Sequence, residues 1–239
     1  MENKKILIII PAYNDAESIR DVIVSLSDKD KSWDLLVIND YSDDGTGKIA
    51  KETGRAVVVD LSCNLGIGGA VQTGLIYAQR HGYDIAIKFD GDGQHKAKEI
   101  STLVEPVLND RADVTIGSRF CGQHDGFSST FARRIGIKFF EIVNFLLIRQ
   151  RITDNTSGFR AYNRKAIEFL AEHYPAFDYP EPEEVILLGK NKFQVQEVFT
   201  EMQERQGGKS SIYGYRSIYY MIKVLLAVFM VSIRRPKLK

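Results

Sequence analysis

The sequence predicts an α/β fold, a mostly parallel central sheet flanked by helices, and three observations carry that prediction. Runs rich in Ile and Val recur through the first 120 residues, helix-like segments alternate with them, and Asn, Asp and Gly gather after every run. Continuous apolar runs, as opposed to polar alternation, mark strands buried on both faces. Strand and helix in strict alternation are the pattern of a parallel sheet.

The first strand is expected over Ile6 to Ile10, where a charged start gives way to an apolar run that ends at Pro11. At about six residues this run is shorter than the apolar region of a signal peptide. A helix follows over Ala16 to Leu26, then a strand over Leu35 to Ile38 and a helix over Gly45 to Glu52. The third strand, Ala56 to Val59, leads to a helix over Gly68 to His81; the fourth, Ile85 to Phe89, leads to a helix over Ala97 to Leu108; Val114 to Ile116 is the fifth strand. Beyond about residue 125 the pattern is less regular: a basic helical stretch "FARRIGIKFFEIVNFLL", then "TDNTSGFRAYNR", "YPEPEEVILL", a strand-like "FQVQEVFTEM", the polar "QERQGGKSS" and a last apolar run. That run is expected to form a C-terminal apolar helix, so the chain divides into one domain over 1–212 and an appendage over 213–239.

At 239 residues the chain is long enough to bury one sizeable core. Apolar residues make up 44%, and 32 basic groups face 31 acidic ones, a balance that excludes both disorder and a chain-wide field for nucleic acid. Cys63 and Cys121 fit no C-x-x-C spacing, so neither a disulfide framework nor structural zinc is implied and a reduced, cytoplasmic compartment is expected.

In an open α/β sheet, ligands bind outside the carboxyl ends of the strands. Those ends here read "PAYND", "NDYSDDGT", "DLSCNLGIGG", "DGDGQH" and "GSRF". Asn, Asp and Gly are ordinary turn residues, yet all five ends are polar together. The fourth is the most telling. Side chains at i and i+2 of extended backbone point the same way, which aims Asp90 and Asp92 at one pocket, with Gly91 letting a ligand approach the main chain. Two close carboxylates repel unless a cation or proton compensates, and Mg²⁺ or Mn²⁺ takes such oxygens together with substrate phosphates. Gln94 adds an amide oxygen. A calcium loop is excluded, because the twelfth position counted from Asp90 is Ser101 and not Glu.

"IIPAYND" with Glu17, "VINDYSDDGT", "NLGIGGAVQTGL", "KFDGDGQH", "IGSRF", "TDNTSGFRAYNR" and "ERQGGKSS" occur in this order over roughly residues 5 to 212. In this the chain resembles the family 2 glycosyltransferases of GT-A fold, and among them the dolichyl- or polyprenyl-phosphate sugar synthases. The resemblance implies a metal-dependent, inverting hexosyltransferase with a nucleotide-binding sheet and a UDP- or GDP-linked donor. It places Pro11, Ala12, Tyr13 and Glu17 along the nucleotide pocket, Asp40 at the base, and Asp90, Asp92 and Gln94 at the metal and donor diphosphate. Arg205 and Lys209, in a glycine-containing loop, suit closure over the same phosphates, since Arg binds phosphate bidentately and Lys as a point charge.

A polyprenyl-phosphate acceptor needs cations near the metal and apolar surface beyond. Arg119, Arg133, Arg134 and Arg160 are the candidates, and Arg160 also joins Asp92 and Glu181 in the catalytic set. A lipid phosphate attacks without a base, whereas a sugar hydroxyl needs one. Glu181 falls about where the resemblance implies a basic Asp, although Pro180 stands where an acid is common; Glu181, Glu183 and Glu184 also suit a plain helix N-terminus. The run Tyr219 to Ile233 is 15 residues broken by Lys223, short of the roughly 20 that span a bilayer. Its flanking Tyr219, Tyr220, Arg234, Arg235, Lys237 and Lys239 suit an interfacial helix on the cytoplasmic face of a membrane, with an oligomerisation helix as the alternative.

Other readings stay open at this level. The acceptor is either the lipid phosphate or a sugar hydroxyl of a lipid-linked glycan. A nucleotidyltransferase would carry a Gly-rich basic signature after strand one, where this chain has "PAYNDAES", and a non-enzymatic nucleotide-sugar binder would not need the metal ligands together with the later Arg and Glu set.

Overall fold

The computed structural model describes residues 4–121, 145, 148–175 and 180–202. The first half follows the expected alternation: β1 (Ile6–Ala12), α1 (Ile19–Lys29), β2 (Asp34–Asn39), α2 (Thr46–Glu52), β3 (Val57–Asp60), α3 (Gly66–Arg80), β4 (Ile85–Lys88), α4 (Ile100–Leu108) and β5 (Val114–Ser118). In the second half come β6 (Arg160–Asn163), α5 (Arg164–His173), α6 (Glu181–Lys190) and β7 (Val195–Phe199). The seven strands form one sheet in the order β3-β2-β1-β4-β6-β5-β7. Among the described strands only β6 runs antiparallel to its neighbours, β4 and β5; the remaining pairs are parallel.

Alternate residues of β1 and β2 serve opposite layers, which explains why both read as unbroken apolar runs. Leu7, Ile9, Leu36 and Ile38 pack with Val71 and Leu75 of α3 and with residues of α5 and α6. Ile8, Ile10, Leu35 and Val37 pack with Ile23 and Leu26 of α1 and with Leu103 and Val107 of α4. Because β2 and β3 lie on one side of β1 and β4 on the other, the order reverses beside β1, and a crevice opens at the carboxyl ends of β1 and β4.

Some boundaries differ from expectation. α1 begins at Ile19 and not at Ala16, because Ser18 and Ile19 donate to the Asp15 carbonyl and the intervening residues form a turn. The segment expected as one helix from Ala97 starts with a 3₁₀ turn, Ala97–Glu99, before α4. β6 and α5 were not expected. β6 has no aliphatic run and carries a buried Arg160 and Tyr162. α5 announces itself by an N-cap, with the Asn163 side chain accepting from Ala166 N–H at 2.9 Å. The helical stretch 131–147, apart from Phe145, and the apolar tail 213–239 lie outside the described residues. No helix among the described residues is long and apolar enough to cross a membrane.

Close contact of α3 with β1 gives a first test. A Cβ added at Gly74 would lie 2.3 Å from Ile9 Cγ2, so Gly74→Ala should overpack this layer and cost about 1–3 kcal/mol. The expected result is a lower denaturation midpoint at unchanged slope; an unchanged midpoint would mean that α3 stands off the sheet.

Candidate active site

β4 ends at Lys88, and the chain turns through Asp90 to Gly93, where φ is +75°. Asp92 is buried and its Oδ1 accepts Gln94 N–H at 3.0 Å. Asp90 is more open, with a side chain 28% exposed, and its Oδ2 lies 3.1 Å from His95 Nε2. The other wall of Asp90 is backbone: a Cβ at Gly158 would come within 2.7 Å of the same Oδ2 and 3.2 Å of Lys88 Nζ. Asp90 and Lys88 therefore meet across the bare Cα of Gly158.

Lys88 is fully buried and donates to Glu181 Oε1 at 2.6 Å. Burial alone would push its ammonium down, but Glu181 and Asp90 beside it more than offset this and hold it above the ordinary lysine range. Arg160 faces Lys88 across the β4–β6 pairing and is 0% exposed. Its Nε donates to Ser157 O, its Nη2 to Asn155 O and Glu181 O, and its Nη1 lies 3.0 Å from Glu184 Oε1. Tyr174 donates to the second oxygen of Glu184 at 3.0 Å. Two buried cations on adjacent strands thus meet two carboxylates one helical turn apart on α6.

On the opposite side, the loops after β1 and β2 brace each other. Asn14 N–H donates to Ser42 Oγ, Asp43 N–H to Asn14 Oδ1, Asp15 N–H to Thr46 Oγ1 and Ala16 N–H to Asp44 Oδ2. Ser18 Oγ donates to Gly91 O at 2.7 Å, which ties the start of α1 to the carboxylate loop. Asp40 is buried at the N-terminus of α3, its Oδ1 accepting Leu65 N–H at 2.7 Å. Burial pushes its carboxyl up from the usual value, and the Leu65 and Gly66 amides partly offset this.

Beyond β5, Arg119 makes a two-pronged contact with Asp154, Nε to Oδ2 and Nη2 to Oδ1, both 2.7 Å. Asp154 is held from behind, for Glu197 of β7 accepts the amides of Thr153 and Asp154 at 2.8 and 2.7 Å. Burial raises the Glu197 carboxyl, with those amides opposing the shift.

The residue groups expected from the sequence thus converge in part. Pro11, Ala12 and Asp40 come together at the carboxyl ends of β1 and β2, with Asp40 N–H donating to Ala12 O at 2.9 Å. Tyr13 and Glu17 are exposed. Asp90, Asp92 and Gln94 form the adjoining loop. Arg119 sits at the end of β5 with its side chain still 18% exposed. Arg160 is placed differently from expectation: it lies inside, engaged by carbonyls and Glu184, and is not open to an incoming phosphate. Arg133, Arg134, Arg205 and Lys209 lie outside the described residues. Lys88, His95 and Asp154 were given no role from the sequence, and Glu184 was read only with Glu181 and Glu183 as an acid at a helix start. His95 and Lys88 bound the same "KFDGDGQH" stretch as the carboxylates, and the Glu–x–x–Glu spacing at 181 and 184 marks one helix face.

The model for glycosyl transferase family 2 matches residues 7–170, which takes in every strand from β1 to β6 and the carboxylate loop. The chain belongs to that family. It is 30% identical over 244 residues to the UDP-N-acetylglucosamine–dolichyl-phosphate N-acetylglucosaminyltransferase of Methanococcus voltae, an alignment covering 93% of this chain and 96% of that one. It is 31% identical over 170 residues to the polyprenol monophosphomannose synthase of Mycolicibacterium smegmatis, covering 69% and 64%. Among solved structures, glucosyl-3-phosphoglycerate synthase from Mycobacterium tuberculosis with Mn²⁺, UDP and glucosyl-3-phosphoglycerate superimposes with a TM-score of 0.73 over 98% of this chain and 82% of that one, at 17% identity. This likeness establishes a GT-A-like fold for the family 2 glycosyltransferase described here.

The metal expected by this glycosyltransferase's resemblance can be tested on its donor set. Among the described residues no group of three or more His, Cys, Asp or Glu side chains is placed to hold a metal ion by itself. The site type that fits Asp90 and Asp92 is the open one, in which one or two carboxylates share a hard divalent cation with substrate phosphates and water. Of the two carboxylates Asp90, with a side chain 28% exposed, is the more open.

Buried charge gives the second test. Arg160→Met strands Glu184 without its cation and should cost about 3–5 kcal/mol, whereas removing both charges in Arg160→Met/Glu184→Leu should recover most of that loss. Denaturation of the two variants decides; equal loss in both would mean that the ion pair does not anchor α6.

Proposed function

We propose that this glycosyltransferase moves a hexose from a UDP-linked donor to a polyprenyl phosphate, with inversion. The observation that carries the reading is the Lys88–Glu181 ion pair. A base that removed a proton from a sugar hydroxyl would lose the negative charge that Lys88, buried beside it, needs as its partner. An acceptor phosphate arrives ionised and asks for no such proton transfer. Its oxygen forms the new bond to the anomeric carbon as the bond from that carbon to the β-phosphate oxygen breaks, and UDP leaves with the electron pair.

The Methanococcus voltae relative, named for a UDP-linked donor and a dolichyl-phosphate acceptor, matches this chain almost end to end and supports UDP over GDP. In this reading Pro11, Ala12, Tyr13 and Glu17 border the nucleotide, and Asp40 accepts an N–H of the base. Asp90, Asp92 and Gln94 would hold Mg²⁺ or Mn²⁺, which supplies charge neutralisation and orientation to the diphosphate. Arg119, already aimed by Asp154, takes an acceptor phosphate, with Arg133 and Arg134 as further cations and Arg205 and Lys209 closing over the donor. Arg160 acts by positioning α6 and not by touching substrate. The basic, apolar tail suits an enzyme working at the cytoplasmic membrane surface, where its acceptor resides.

Two substitutions test the reading. Asp92→Asn should abolish transfer and Mn²⁺-dependent UDP binding with the fold intact, because a ligand and a compensating charge are lost together; titration of UDP with and without Mn²⁺ reads this out, and unchanged affinity would remove Asp92 from the metal site. Glu181→Gln keeps an oxygen for Lys88 but removes its counter-charge and any base, so the melting temperature should fall, while turnover on a polyprenyl phosphate, measured well below that temperature, should stay within about tenfold of the parent, where loss of a true general base costs about a hundredfold or more. A loss of that larger size in the folded variant would turn the assignment to a sugar-hydroxyl acceptor.

A further inference from the structure

We propose that His95 is a positioning residue for Asp90: its Nε2–H holds the carboxylate oxygen that also lies against Gly158, and two aromatic rings fix the imidazole. The inference rests on Asp90 being a metal ligand. His95 is 7% exposed, as buried as Asp92 in the same loop. Its ring stacks on Phe159 with centroids 4.7 Å apart and planes 18° apart, and meets Phe89 edge-on at 5.6 Å. Both phenylalanines are themselves buried. The backbone of His95 also bridges to Met202, which ties its loop to the segment after β7.

Nδ1 of His95 is buried and finds no hydrogen-bond partner among the described residues, while Nε2 lies 3.1 Å from Asp90 Oδ2. A carboxylate accepts, so the contact assigns an N–H to Nε2. The arrangement is that of an outer partner which holds a ligating carboxylate in one orientation, and loss of such partners typically weakens metal binding about 10–100-fold. Gly158 completes it, since any side chain there would displace the oxygen that His95 holds. A packing role alone would ask only for the aromatic stack; the hydrogen bond to Asp90 is an additional, separable feature.

The experiment separates the two by substitution in the full chain, with UDP present and free Mn²⁺ followed by electron paramagnetic resonance. His95→Phe keeps a ring on Phe159 but has no donor; His95→Gln lacks the ring but presents an amide N–H at the same reach. His95→Phe is expected to raise the Mn²⁺ dissociation constant about 10–100-fold, and His95→Gln to stay within about threefold of the parent. At saturating Mn²⁺ the turnover of His95→Phe should return toward the parent value, as a positioning role requires. His95→Met, matched to Gln in length, reads the same hydrogen bond if His95→Phe fails to fold. Asp90→Asn is the control. If it weakens Mn²⁺ binding while the donor-free His95 variants keep the parent affinity, His95 only packs and the inference is overturned. If Asp90→Asn itself keeps the parent affinity, the metal reading fails and the inference fails with it.

Discussion

Acidic side chains crowd the carboxyl end of β4, and like charges in a dry site must be compensated. Lys88 and Arg160 supply that compensation from inside the sheet, side by side in the β4–β6 register, opposite Glu181 and Glu184. Much of the second half follows from this requirement. β6 must lie between β4 and β5 to bring Arg160 beside Lys88, and α6 must present its first turn to both cations. Gly158 must lack a side chain, because Asp90 and Lys88 meet across it. The helix N-terminus adds its own positive end to the acids of that first turn. What results is a fixed floor beneath Asp90, a carboxylate that stays partly open.

The rest of the site is stiffened by hydrogen bonds between loops. The polar residues after β1 and β2, which alone suggest a collection of ligands, mostly hold one another: Asn14 with Asp43, Thr46 with Asp15, Asp44 with Ala16. Asp154 does the same for Arg119, and Glu197 for Asp154. Groups held in this way lose little freedom when a charged substrate arrives, which is the condition for electrostatic catalysis.

The first five strands and the four helices between them were legible because strands buried on both faces leave continuous Ile and Val runs, and neither face needs a polar residue. β6 was hidden because its core-facing positions carry Arg160 and Tyr162, whose burial depends on partners more than twenty residues away on α6 or supplied by Tyr174 and Glu184. The carboxylate loop was legible from spacing alone. Lys88 was not, since a lysine ending a strand reads as exposed until Glu181 is placed beside it, and Arg160 read as a phosphate ligand for the same reason. Tertiary partners decide the fate of a charge, and local pattern does not carry them.

The central claim is that the sugar goes to a phosphate oxygen and not to a hydroxyl. The most direct measurement supplies the chain with a UDP-linked hexose, Mn²⁺ and, side by side, a short-chain polyprenyl phosphate and the matching polyprenol, and identifies the lipid product by mass spectrometry. The account predicts a polyprenyl phosphate bearing a single hexose and no product from the polyprenol. A glycosylated polyprenol, or transfer confined to the hydroxyl of a lipid-linked glycan while the phosphate stays bare, would contradict it.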